Sequence, residues 1–185
     1  PELRSQFDDV ERAVAALGVV VWSMRDFEAD DALATAAVRF AGDPRVTQVR
    51  VLTPDKDLGQ VLDAERVVQV DRMRQRVITA ATQWAEKKLR PASVPDFLAL
   101  VGDDADGIPG LEGWGAKSTA DVLEVCPHLE DIPPALSDWK VKPRGAEKLA
   151  AALARGRADV LLYRTLATLR RDVPLDARHP LQMTH

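Results

Sequence analysis

Seven acidic side chains stand in three groups that could share a cation: Glu28, Asp30 and Asp31 in FEADD, Asp55 and Asp57 in PDKD, Asp103 and Asp106 in GDDAD. Acids in the first turn of a helix ordinarily cap it or answer its dipole, which accounts for one or two of the first group. Three of them, with Asp26 beside them, repel one another unless a cation sits among them. Asp55 and Asp57 straddle Lys56 just past an apolar run, at the strand end where open α/β sheets place ligands. An oxygen-only donor set, with neither His nor Cys, selects a hard cation, Mg²⁺ or Mn²⁺. Two such ions about 4 Å apart clamp a phosphodiester, make a water nucleophilic and stabilise the leaving oxygen. Seven carboxylates are enough ligands for two ions.

A second feature adjoins the third acidic group. In GIPGLEGWG, glycines at 107, 110, 113 and 115 let the backbone take positive φ and lie close to a ligand. A helical pattern restarts at Ala116, so unpaired N–H groups and the positive end of a helix dipole face whatever this hairpin holds. A phosphate fits that description.

The elements that must position these residues read as an α/β part followed by an all-helical part, with a boundary at Pro91 that divides residues 1–90 from 91–185. Apolar spacing predicts helices over 2–17, 26–40, 58–62 and 73–89, and β-branched runs predict strands over 19–24, 49–53 and 66–70. Strands alternating with helices imply parallel pairing. Beyond Asp71 no further strand is expected. Helices follow over 97–101, 116–123, 146–153 and 158–169, with a proline-broken connection over 127–134.

The chain has 185 residues and is 46% hydrophobic, enough for a buried core. The single Cys126 excludes an internal disulfide and fits a reducing compartment, and no apolar run approaches the roughly 20 residues of a membrane span. A cytoplasmic location is expected. The net charge of −4 argues against a polyanionic partner, but its distribution does not. Residues 138–171 carry nine Lys or Arg against three acids, a local +6 that leaves −10 for the rest. Such polarity could bring a polyanion to one face and divalent cations to another. His128, His179 and His185 suggest no role.

The segment GDDADGIPGLEGWGAKSTA resembles the helix-hairpin-helix (helix-three-turn-helix) of the bacterial 5′-3′ exonuclease and flap endonuclease family, which usually reads GDSSDNIPGVPGIGEKTA, with Gly107 for Asn and Trp114 for Ile. FEADDALATAA is similar to the family's YEADDVIGTLA, LTPDKDLGQVL to its TGDKDMAQLV, and YRTLATLRRDVPLD to its end. The resemblance implies a PIN-like parallel-sheet nuclease core followed by the DNA-binding helices. It makes Glu28, Asp30, Asp55, Asp57 and Asp103 the first-choice metal ligands and catalytic carboxylates, with Asp31 and Asp106 second. It assigns DNA contact to Gly110, Gly113, Trp114 and Gly115 through the backbone, to Lys117 and to the basic stretch from Lys140 and Lys142, with K⁺ held by hairpin carbonyls. It implies a DNA partner with a 5′ end, flap or single-strand/duplex junction, a monomer, and a DNA polymerase, fused or separate, in replication and repair. Backbone contacts recognise form rather than sequence.

Family members begin with a strand ending in aspartate and a helical arch. Here the first residues, PELRSQFDDVERAVAALG, resemble the segment after the arch, so a partial chain is expected. Two metal ligands and a central strand are then missing, apolar surface is left exposed, and hydrolysis by these residues alone is not implied. Two other functions fit parts of the pattern: a non-catalytic duplex-binding scaffold, which has no use for crowded acids, and a PIN-type ribonuclease, which needs no glycine hairpin.

Overall fold

The computed structural model describes residues 2–175. The first predicted helix is two, α1 (Glu2–Ser5) and α2 (Phe7–Ala16), broken at Gln6 and closed by Gly18 at φ +81°. No residue of α2 is buried, so Phe7, Val10 and the adjoining Leu17 face solvent. The predicted strand over 19–24 does not form. A strand exists through its ladder, and this stretch has no neighbour to pair with among the described residues. Trp22 instead stacks on Phe40, ring centroids 6.2 Å apart.

Phe40 belongs to α3 (Ala29–Ala41), which starts three residues later than the spacing suggested because Glu28 is extended at the N-cap. Its buried face is small, Ala32, Ala34, Ala36 and Ala37 with Thr35, and lies against β1 (Val49–Val51) and the 3₁₀ turn Lys56–Val61. β1 pairs in parallel with β2 (Val67–Asp71), Val49 opposite Val67 and Val51 opposite Gln69. The expected helix over 73–89 is corrected to a third strand, β3 (Arg76–Ile78), antiparallel to β2, followed by the shorter α4 (Ala80–Lys87). The turn between β2 and β3 is closed by Asp71, which accepts from the Arg74 amide (3.0 Å) and pairs with its guanidinium (2.9 Å), while Gln75 takes φ +52°. At the start of α4 a reciprocal Thr79–Thr82 cap satisfies two end amides, so helix begins at 80 and not earlier.

The helical part is α5 (Val94–Val101), α6 (Ala116–Val125), α7 (Ala146–Arg155) and α8 (Arg157–Ala167). Its core, with Leu98, Leu100, Leu123, Leu129, Ile132 and Val160 almost wholly enclosed, is organised on α5. Deep beside it Asp96, 1% exposed, accepts from the Leu129 amide (3.3 Å) and Arg164 (3.3 Å) and meets His128 Nδ1 at 3.0 Å. Arg164 also grips Glu130 at 2.6 and 2.7 Å and holds that carboxyl down at about 2. His128 thus has a structural place that its sequence context did not reveal. His179 and His185 lie outside the described residues.

Beyond α8 the chain returns to the α/β part and is stitched there by polar side chains. Gln60, buried, donates to the Ala167 carbonyl (3.1 Å) and accepts from the Leu169 amide (3.0 Å). Asp31 accepts from the Arg170 amide (2.8 Å) and Thr35 from the Val173 amide (3.2 Å). Leu169 completes the second core with Ala34, Val51, Leu58 and Val67. These contacts hold the returning segment against α3 and the 3₁₀ turn, the elements at whose starts the first two acidic groups stand.

Candidate metal centre and nucleic-acid interface

The second acidic group sits just past β1. Asp55 caps the following 3₁₀ turn by accepting from the Asp57 amide (3.0 Å), and Gln69 on β2 donates to the Thr53 carbonyl (2.9 Å), fixing the loop from below. This places Asp57 inward at 8% exposure, with Oδ1 buried and no protein partner. The third group is built by α5. The helix ends at Gly102, φ +91°, and Asp103 and Ile108 exchange both backbone hydrogen bonds (2.7 and 2.8 Å), closing a loop that carries Asp106 at its tip. Carboxylate oxygens of Asp57, Asp103 and Asp106 lie within 4.8 Å of one another, although nearly fifty residues separate the first from the others.

The first group completes the neighbourhood. Burial raises the Asp30 carboxyl above the usual range, and the charges of Asp55, Glu28, Asp106 and Asp31 push it further the same way. Asp57 rises to about 7, first from burial, then from the charge of Asp55 and a hydrogen bond with Asp106. Carboxylates packed like this resist carrying full charge together. One cation is already present: the Lys56 ammonium pairs with Asp103. Nothing in the local sequence indicates that Lys56 would face Asp103. Asp31 gives one oxygen to the Arg170 amide, which makes it a strut as much as a donor.

The donor set fits a hard divalent ion. Asp57 Oδ1 is a buried acceptor with nothing to accept from, and the groups around it are oxygens of like charge, the arrangement such an ion resolves. The raised carboxyl gives a pH dependence for chelator-treated protein. Between the unfolded value near 4 and the folded value of about 7, the native state binds the extra proton, so stability falls as pH rises through that window and levels off above it. Melting temperatures measured in chelator from about pH 5 to about pH 8 should show this decline, and Asp57→Asn should flatten it.

Beside the acids lies the glycine hairpin. Leu111 donates to the Leu100 carbonyl at 2.9 Å, tying the hairpin to α5. Gly110 (φ +70°) runs so close to α5 that a Cβ would fall 2.6 Å from Val101 and Gly102 backbone atoms, whereas a Cβ on Gly107 would meet open space. Gly113, Gly115, Lys117 and Ser118 line a cleft of about 410 Å³ with Pro143 and Arg144. Trp114 offers a ligand no side chain. Its indole is 3% exposed, donates to the Leu149 carbonyl (3.1 Å) and packs on Trp139, while its amide is taken by Leu111. That Trp114–Trp139 contact holds the basic connection 140–145 beside the hairpin. Lys140 and Lys142 are exposed there without lining the cleft; Arg144, on the same connection, does line it.

Residues 1–90 match the family model described as the 5′-3′ exonuclease N-terminal resolvase-like domain, and residues 89–184 the one described as the 5′-3′ exonuclease C-terminal SAM fold. The chain belongs to the 5′-3′ exonuclease family. Among its relatives in that family, the 5′-3′ exonuclease of Bacillus subtilis is 32% identical over 190 residues, covering 98% of this chain and 61% of its own length. That of Aquifex aeolicus is 31% identical, covering 75% of this chain and 46% of its own. DNA polymerase I of Thermus thermophilus is 36% identical over 90% of this chain, which corresponds to 19% of the polymerase. The chain therefore spans between a fifth and three-fifths of these relatives. In fold it is similar to the T5 D15 protein co-crystallised with metal ions (TM-score 0.72, 21% identity, 91% of this chain and 62% of that one). A T5 flap endonuclease in complex with DNA and metal ions aligns with TM-score 0.65 at 21% identity, over 80% of this chain and 52% of that one.

Proposed function

We propose that this chain is the metal-binding and duplex-binding portion of a nuclease that hydrolyses phosphodiesters at 5′ ends or 5′ flaps. The observation that carries the reading is the convergence of Asp57, Asp103 and Asp106 from distant parts of the sequence beside a glycine hairpin. The names of the family relatives agree with it. Glu28, Asp30, Asp55, Asp57 and Asp103 are the first-choice ligands of two divalent ions, Mg²⁺ or Mn²⁺, with Asp31 and Asp106 supporting them. Bound there, the ions supply positive charge for the scissile phosphate and a more acidic water.

This chain's own residues do the remaining work. Asp55 orients the loop that carries Asp57, and the Asp103–Ile108 bridge fixes Asp103. The Gly113 amide, the first amides of α6 and Lys117 take successive phosphates of one strand, with Lys140, Lys142 and Arg144 continuing the track, while the Gly115 amide is held by Ser118 Oγ at 3.2 Å. K⁺ on hairpin carbonyls completes the grip. Recognition is of structure, since these contacts touch phosphate and not base edges. The α/β unit over 1–90 and the helical unit over 91–185 divide the labour between chemistry and grip. The polymerase relatives support a DNA polymerase, fused or separate, as partner of a monomer acting in the cytoplasm. Among the described residues no helix is long and apolar enough to cross a membrane.

The test is cleavage of a labelled 5′-flap duplex in Mg²⁺ by this chain and by a version extended N-terminally with a strand and arch of the family kind. Flap cleavage by the extended chain, lost in chelator, is the expected result. Duplex binding by both chains with cleavage by neither would replace the nuclease with a scaffold.

A further inference from the structure

The acidic cluster contains a cation that belongs to the chain itself. Lys56, between Asp55 and Asp57 in sequence, turns its ammonium onto Oδ2 of Asp103, a carboxylate that is 7% exposed, while half of the lysine side chain remains in solvent. It stands between two acids in sequence, and its partner is one of the three whose oxygens cluster within 4.8 Å.

We propose that Lys56 is a resident counter-ion of the metal centre, held on Asp103 until a divalent ion displaces it, so that it sets how tightly a divalent ion loads at Asp103. The inference rests on the metal reading above and goes beyond it. In the metal-free protein the lysine offsets the repulsion that would otherwise splay Asp103 from Asp57 and Asp106, keeping the ligands assembled. A divalent ion binding at Asp103 must first break a charge-assisted hydrogen bond, which weakens its net affinity. The long, flexible stem lets the ammonium swing to solvent when displaced, where a shorter cationic side chain could not follow.

Calorimetric titration of the purified chain with Mn²⁺, alongside thermal melts in chelator, tests this with three proteins: wild type, Lys56→Met and Lys56→Arg. Lys56→Met keeps the stem's bulk, so it should bind Mn²⁺ about tenfold more tightly, the magnitude of one charged hydrogen bond discounted for its exposure, and should melt lower than wild type in chelator. Lys56→Arg should titrate within about threefold of wild type, because it keeps the charge. Wild-type uptake of Mn²⁺ with Lys56→Met equal or weaker in affinity overturns the counter-ion role alone. A wild-type chain that takes up no Mn²⁺ overturns it together with the metal reading beneath it.

Discussion

Asp55→Ala combined with Asp57→Ala is expected to abolish Mn²⁺ binding in calorimetry while leaving the chain folded. Asp57 supplies a buried oxygen without a protein donor, and Asp55 supplies both a neighbouring carboxylate and the cap that aims Asp57. Hard divalent ions draw their affinity from the number and charge of such oxygens, so losing two leaves Asp103, Asp106 and the first acidic group as a weak remnant. Stability should move little or even rise in chelator at neutral pH. Removing the Asp55 cap costs about 1 kcal/mol. Removing a carboxyl whose pKa burial and like charge have raised to about 7 relieves a repulsion on the order of a few kcal/mol. A double variant that melts normally but still titrates with wild-type stoichiometry would end the assignment of these residues.

Gly110→Ala should cost the chain roughly 2 to 5 kcal/mol, a large part of a small domain's stability. Two penalties add at this position. At φ +70° an L side chain is strained, and the new Cβ would sit 2.6 Å from Val101 and Gly102 backbone, which cannot step aside as a flexible side chain would. Gly107→Ala is the internal control, since it shares the positive φ but opens onto empty space and should cost only about 1 kcal/mol. Denaturant unfolding of the two variants in chelator measures the difference. The damage from Gly110→Ala should also reach the metal centre, because the same Gly102 that meets Gly110 leads directly into Asp103. Equal destabilisation by the two substitutions would mean that the hairpin does not lie against α5 as described.

The parts of the site legible in the sequence were those that depend on local composition. Crowded acids at element ends and glycines at close spacing carry their meaning in a few consecutive residues, so the acidic groups and the hairpin could be located before any fold was known. What stayed hidden depended on distant partners. β3 is three residues with an arginine at its head, and its pairing with β2 is set by the Asp71–Arg74 turn, which no periodicity reports. The stretch 19–24 has strand composition but no ladder to join. Trp114, a departure from the family pattern, has its indole enclosed because α7 presents the Leu149 carbonyl to it, a partner 35 residues away that no local pattern reports. Gln60 and Thr35, which hold the returning C-terminal segment, look like ordinary helical polar residues until that segment is placed over them. Lys56 stands between two aspartates in sequence, and its charge acquires significance only once Asp103 is seen to stand opposite.

The most direct measurement of the central claim is the anomalous difference map from crystals of the chain soaked in Mn²⁺ at neutral pH. Manganese peaks among Asp57, Asp103 and Asp106, with Lys56 moved off Asp103, are the expected result. A fully soaked crystal with no peak at that cluster would contradict the account.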